Sequence, residues 1–201
     1  MSRPEPRFAA LVLAAGGSTR LGRPKQLLPY RDGLLLDAVL DIARAYPFAQ
    51  RVLALGCSAD DVLAAVDTNG FDTVINDEYT TGCSSSIARA IGAVEKDLDG
   101  IVLLLGDQPE VRADTIAALI AGRGNAPIAV TRYENGIGHP FALSRATFPA
   151  LAALHGDRGV WKLIDRLGSA VARVRVEGQV PRDVDTEEDY RALLAGAAGS
   201  E

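Results

Sequence analysis

The segment from Phe8 to Ala14 constrains this 201-residue chain most: seven consecutive apolar residues lead, through Ala15, into Gly16 and Gly17. A short continuous apolar run that ends in glycine reads as a strand covered on both faces. Arg51 to Leu55, Ile101 to Leu105 and Ile128 to Thr131 are runs of the same kind. Between them, helical spacing covers Leu34 to Ala45, Ala59 to Val66, Ser84 to Val94 and Ala113 to Ala121. This alternation predicts βαβ units and an α/β fold: a mostly parallel sheet with helices on both faces. Composition agrees, because 48% of residues are hydrophobic but only 5% aromatic, so Ala, Leu, Val and Ile must fill the interior.

After residue 132 the rhythm changes. Gly138 to Ser144 reads as an isolated strand, Arg145 to Leu154 and Val160 to Leu167 as helices, and Val171 to Val176 as a strand. A last helix, Thr186 to Leu194, follows the turn around Pro181. Ser58 followed by Asp61 reads as a capping-box variant. No repeat, linker or charge block divides the chain, so residues 1–201 are expected to form a single domain, frayed over 1–6 and 196–201.

The net charge of −5 argues against a general nucleic-acid binder or a basic membrane-surface protein. Residues 6–31 nevertheless hold Arg7, Arg20, Arg23, Lys25 and Arg31 with no acidic residue, a local +5 that leaves −10 in the remainder. The acidic average therefore excludes a broad nucleic-acid surface without excluding a polyphosphate ligand. Cys57 and Cys83 form no CxxC, and with two histidines in the chain neither a zinc site nor a disulfide framework is indicated, which suits a reducing cytoplasm. No apolar run approaches the roughly 18 residues of a membrane span. Arg3 and Arg7 ahead of an apolar run imitate a secretory signal, but Glu5, Pro4 and Pro6 do not suit one.

In open α/β sheets ligands sit beyond the carboxyl ends of the strands, so the residues just after each strand carry the functional argument. After the first strand come Gly16 and Gly17, whose N–H groups are accessible to an anion, then the Ser18 hydroxyl and the cations Arg20 and Lys25. Phosphate binding is the natural reading. Neither GxGxxG nor a P-loop is present, since Arg23 and Pro24 follow Gly22 where a P-loop has Lys and Ser/Thr. The chain has 18 arginines but three lysines, and a lysine here supplies a compact point charge rather than a planar fork.

Asp107 closes the run LLLGDQP, and a carboxylate at the tip of a buried strand is well placed to hold Mg²⁺ against phosphate oxygens, or simply to form the turn. TGCSSSI, Thr81 to Ile87, offers a capped helix N-terminus with free N–H groups. Asp185 is equally an N-cap for the last helix or a second carboxylate, with Asp183 beside it. His139 lies in IGHPFAL, where histidine beside proline is ordinarily structural. In HGDRGVWKLI, Asp157 suits a helix cap, Arg158 a phosphate contact and Trp161 packing.

The pattern LAAGxSxRxGxxK, Leu13 to Lys25, resembles the signature of nucleotidyltransferases with a Rossmann-like, GT-A-like fold, and specifically the molybdenum cofactor (molybdopterin) nucleotidyltransferase family. The resemblance implies that Gly16, Gly17, Ser18, Arg20 and Lys25 cradle an NTP triphosphate, Arg20 and Lys25 stabilising its developing charge. It implies that Gly82, Ser84 and Ser85 line the nucleotide site, and that Asp107 and Asp185 hold Mg²⁺, with Mn²⁺ an alternative. His139, Asp157 and Arg158 would face the acceptor. Family members using CTP tend to carry Ala-Ala-Gly where GTP users carry Ala-Gly-Gly, and Ala14, Ala15 and Gly16 match the former. The implied reaction is cytidylyl transfer from CTP to a molybdopterin-type phosphate, with a recipient molybdenum hydroxylase or its chaperone as a further partner. A guanylyltransferase, a sugar-phosphate or other small-phosphate nucleotidyltransferase, and a maturation factor that binds nucleotide without chemistry are the alternatives. No serine elbow, HExxH or cysteine beside a base is present, so hydrolysis and covalent catalysis lack candidates.

Overall fold

Phe8–Ala14 forms β1, a central strand with all seven residues buried. The computed structural model describes residues 6–198. After β1 come a 3-10 turn (Lys25–Leu27), β2 (Pro29–Tyr30), β3 (Gly33–Leu34), α1 (Leu35–Ala45), β4 (Gln50–Leu55), α2 (Ala59–Ala65) and β5 (Asp72–Ile75). Then follow α3 (Cys83–Ile91), β6 (Gly100–Leu105), α4 (Ala113–Arg123), β7 (Ile128–Arg132) and β8 (Ile137–Ser144). The chain ends in α5 (Phe148–Ala152), α6 (Gly159–Leu167), β9 (Val171–Arg175) and α7 (Glu187–Ala198). Seven strands make one sheet in the order β5-β4-β1-β6-β8-β7-β9. β8 runs antiparallel to β6 and β7, and the other pairings in this sheet are parallel.

Alternation along β1 explains its unbroken apolar sequence. Phe8, Ala10, Val12 and Ala14 join the core under α1, α2 and α4, while Ala9, Leu11 and Leu13 join the core under α3, α5 and α6. With helices on both faces, each position of the strand is inside. The expected α/β architecture is therefore present, with a mostly parallel sheet.

Several local expectations differ. β5 escapes the sequence reading because it is a four-residue edge strand with exposed Asp72 and Ile75, too short to show a period. The stretch between Lys25 and Leu34, which carries no strand or helix pattern in sequence, holds a 3-10 turn and the β2–β3 hairpin. The helix expected over Arg145 to Leu154 is a 3-10 turn followed by the five-residue α5, with Pro149 in its first turn. Ser58 does not cap α2: its backbone is left-handed (φ 57°) and its side chain makes no capping bond. The reciprocal cap belongs to α7, where Thr186 N–H donates to Asp189 Oδ2 (2.8 Å) and Asp189 N–H donates to Thr186 Oγ1 (3.2 Å). α7 runs through Ala198, and of the ends expected to fray residues 1–5 and 199–201 lie outside the described part.

One packing detail positions the site. Leu28, Tyr30 and Leu35 form a small core with Val184, Tyr190 and Leu193. The Tyr190 hydroxyl donates to the Pro29 carbonyl at 2.5 Å. The C-terminal segment is thereby fastened beside the glycine-rich loop, although about 160 residues separate them.

Candidate active site

The chain leaves β1 for β4 and β5 on one side, then returns to β6 on the other, so the strand order reverses across β1. Such a switch point opens a crevice beyond the carboxyl ends of the strands. A cavity of about 650 Å³ occupies it, lined by Ala14, Ala15, Gly16 and Gly17 after β1 and by Gly106 and Asp107 after β6. Lys25, Gln26, Gly82, Ser86, Asp157, Asp183 and Asp185 complete much of the wall. Gly106 allows the two strand ends to approach: its N–H donates to Leu13 O at 2.8 Å, and a Cβ there would fall 2.8 Å from Ala14 Cβ. A second cleft of about 740 Å³, beside the β2–β3 hairpin, contains none of the candidate nucleotide, metal or acceptor residues.

Lys25 is the hub of the crevice. Its ammonium donates to Asp107 Oδ2 (2.5 Å) and Asp185 Oδ1 (3.0 Å), and Arg20 Nη2 donates to Asp185 Oδ2 (2.7 Å). Ser18 supports the lysine from behind, its Oγ accepting from the Lys25 N–H at 3.0 Å. Burial by itself pushes the Lys25 ammonium down, but the charge and hydrogen bond of Asp107, joined by those of Asp185, outweigh it and raise its pKa above the ordinary value. Burial raises the Asp107 carboxyl above the usual carboxylate range, an effect the Lys25 charge offsets in part. Lys25 thus stays protonated.

Among the described residues no group of three or more His, Cys, Asp or Glu forms a ready-made metal cage. The pair Asp107 and Asp185 nevertheless converges on one cation, the Lys25 ammonium. Two carboxylates converging on a positive charge are a donor set that suits Mg²⁺ or Mn²⁺, which completes its shell with phosphate oxygens and water. The residues therefore fit a divalent ion.

The remaining expected residues divide into those at the cavity and those away from it. Gly82 lines it with φ +113°, its α carbon so close to the next loop that a Cβ would meet Gly156 backbone at 2.7 Å. Asp157 also lines it, but it caps α3 rather than its own α6: Oδ1 accepts from the Cys83 N–H at 3.0 Å. Ser84 and Ser85 spend their hydroxyls on the fold, donating to Gly156 O (2.5 Å) and Gly82 O (2.8 Å), and Ser86 is the serine of this segment that reaches the cavity. Arg158 is exposed on the same loop as Asp157. His139 lies outside the lining: its ring stacks on Phe141 (4.1 Å between centroids) and meets Trp161 edge-on (6.4 Å), and burial pushes its pKa down to about 3. Trp161 packs against the core, as expected.

Two residues escaped the sequence reading. Gln26 is buried, and its amide donates to Ala14 O (2.7 Å) and Gly16 O (3.3 Å), fastening the loop to the turn that carries Lys25. Gln108 does the equivalent after Asp107, donating to Asp183 Oδ1 (2.7 Å) and Pro181 O (3.3 Å). The available signal was a glutamine directly after each key residue, in PKQL and GDQP.

The crevice thus joins a glycine-rich loop after the first strand, a buried Lys–Asp pair at the switch point and a carboxylate delivered from the C-terminal segment. Residues 10–171 match the MobA-like NTP transferase domain, and the chain belongs to that family. It is 30% identical over 185 residues to the molybdenum cofactor cytidylyltransferase of Escherichia coli (strain K12), covering 90% of this chain and 92% of the relative. It is 28% identical over 199 residues to the nicotine blue oxidoreductase of Paenarthrobacter nicotinovorans, covering 94% and 97%. Among solved structures, Rv0371C of Mycobacterium tuberculosis H37Rv in complex with manganese superposes with a TM-score of 0.85 at 46% identity, covering 94% and 98%. No helix among the described residues is long and apolar enough to cross a membrane.

Proposed function

We propose that this enzyme transfers a cytidylyl group from CTP to the phosphate of a molybdopterin-type acceptor and releases pyrophosphate. The observation that carries the reading is the Lys25 ammonium held between Asp107 and Asp185 at the mouth of the Ala14–Gly17 loop. An acceptor phosphate is already anionic at neutral pH, so the protein needs no nucleophile of its own. Its work is alignment and charge stabilisation.

In this reading the N–H groups of Gly16 and Gly17 face the triphosphate, and an oxygen of the acceptor attacks the α-phosphorus as the bond to the β-phosphate oxygen breaks. Lys25 and Arg20 neutralise the charge that develops on the departing pyrophosphate. Asp107 and Asp185 would hold a divalent ion, Mg²⁺ or Mn²⁺, which supplies Lewis-acid neutralisation of phosphate oxygens. Gly82 borders the nucleotide, Asp157 and Arg158 border the acceptor, and Ser18, Ser84 and Ser85 hold the backbone around it. A molybdenum hydroxylase or its chaperone is the proposed recipient of the product.

CTP rather than GTP is supported by Ala15 in the cavity wall and by the cytidylyltransferase among the relatives. The test is pyrophosphate release with each of the four NTPs and Mg²⁺ or Mn²⁺, with and without molybdopterin. Release that requires both CTP and the pterin is expected. Release with GTP instead points to guanylyl transfer, release without pterin to another small-phosphate acceptor, and none with any combination overturns the reading.

A further inference from the structure

Asp107 and Asp185 reach the same ammonium from opposite parts of the chain, and strand register places only one of them. Asp107 follows β6 directly, whereas Asp185 sits in a segment without secondary structure, after β9 ends at Arg175 and before α7 begins at Glu187. Apolar burial anchors that segment through Val184. Burial of one valine fixes depth, not the direction in which the neighbouring carboxylates point. Two polar ties act on direction: the Asp185 N–H donates to Asp189 Oδ2 at 3.3 Å, and Gln108 holds the residues just before it. The Gln108 amide nitrogen takes Asp183 Oδ1 at 2.7 Å and Pro181 O at 3.3 Å, which ties the segment to the turn that carries Asp107. Held this way, Asp183 is committed to Gln108, and Asp185 to Lys25 and Arg20.

The residue type is informative. Gln108 is 3% exposed, and its Oε1 is buried without a hydrogen-bond partner. A leucine or methionine would fill similar volume without that desolvation penalty. What the amide provides, and an apolar side chain would not, is the pair of bonds from its nitrogen to Asp183 and Pro181. We propose that Gln108 is a positioning residue for the two-carboxylate site, setting the orientation of the Asp183–Asp185 segment toward Asp107. The proposal rests on the nucleotidyltransferase reading above.

The test uses Mn²⁺ as the probe, titrated against the full-length protein in the presence of each of the four NTPs, with free Mn²⁺ followed by electron paramagnetic resonance. Gln108→Leu should weaken Mn²⁺ binding by about 10- to 100-fold, the usual cost of losing a residue that orients metal ligands, while the melting temperature stays within a few degrees. Asp183→Ala removes the acceptor and leaves Gln108 in place, so it serves if Gln108→Leu folds poorly, and it should show a loss of the same order. The double variant should lose about as much as the larger single loss, because the Gln108–Asp183 bond is already broken in each single variant. Equal Mn²⁺ affinity in wild type and Gln108→Leu, or additive losses, overturns the proposal alone. A wild-type protein that binds no Mn²⁺ with any NTP overturns the nucleotidyltransferase reading and this proposal with it.

Discussion

The Lys25 ammonium lies 2.5 Å from Asp107 Oδ2, across 82 positions of sequence, with the two side chains 15% and 11% exposed. Removing Lys25 leaves the Asp107 carboxylate buried without its counter-ion, which costs about 3–5 kcal/mol, whereas removing Asp107 leaves Lys25 its bond to Asp185, and replacing both Lys25 and Asp107 with apolar residues is often neutral. Lys25→Met should therefore lower stability strongly in urea unfolding and Asp107→Leu by less, and the double variant should regain most of the Lys25→Met loss. None of the three should release pyrophosphate at more than about 1% of the wild-type rate, because charge stabilisation of this kind is worth roughly 100-fold or more. A stable, active double variant would contradict the assignment.

Ala15 contributes one methyl to the cavity wall. A single methyl is a small discriminator, about 1–3 kcal/mol in a tight pocket. Ala15→Gly should raise kcat/KM for GTP relative to CTP by roughly tenfold. An unchanged ratio would mean that base choice resides elsewhere in the site.

His139 predicts an acid-side instability. Its pKa falls to about 3 in the folded protein against 6.5 ordinarily, so below pH 6.5 the unfolded chain takes up a proton that the folded one refuses. This contribution to stability is complete above pH 6.5 and is lost as pH falls toward 3, with a slope of at most about 1.4 kcal/mol per pH unit. Unfolding free energies measured between pH 7 and 4 should show a shallower pH dependence in His139→Gln than in wild type. Parallel curves would refute the burial of a neutral ring.

Gly82 is under two constraints at once, φ +113° and a backbone neighbour 2.7 Å from where a Cβ would stand. Gly82→Ala must move the Gly156–Asp157 loop, and with it the bond from Cys83 N–H to Asp157. A loss of more than about 2 kcal/mol in stability is expected, beyond that of an ordinary surface change. Gly70, also left-handed but with open space around it, is the control: Gly70→Ala should show strain alone.

Cys83 lines the cavity, yet burial, followed by the charges of Asp157 and Asp107, pushes its thiol up to about 11. At pH 8 about one molecule in a thousand would be thiolate. Iodoacetamide should leave Cys83 unmodified by mass spectrometry over times that alkylate an ordinary cysteine.

Much of the architecture was legible because burial on both faces writes itself into sequence. Phe8–Ala14, Leu103–Leu105 and Ile128–Val130 are apolar without a gap, and such runs have few other uses in a folded chain. β5 was not legible, since a four-residue edge strand borrows its stability from β4 and needs no pattern of its own. The cap of α2 was misplaced for a different reason: Ser58 has the right side chain, but its backbone is left-handed and its hydroxyl makes no capping bond. Sequence could offer Asp185 as a cap or as a carboxylate. The Thr186–Asp189 pair takes the capping role, and Asp185 goes to Lys25 and Arg20.

By itself the sequence determined the strand that ends in a glycine-rich loop, the acidic tip at Asp107 and the alternation that makes the sheet, because each depends on neighbours within a few residues. Tertiary structure alone decided which distant groups meet. His139 joins an aromatic stack with Phe141 and Trp161, Asp157 caps a helix 74 residues away, and Gln26 and Gln108 become fasteners of the site. Local propensity carries no information about such partners, since they are chosen by where the sheet's strand order reverses and by what the packed helices bring to that crevice.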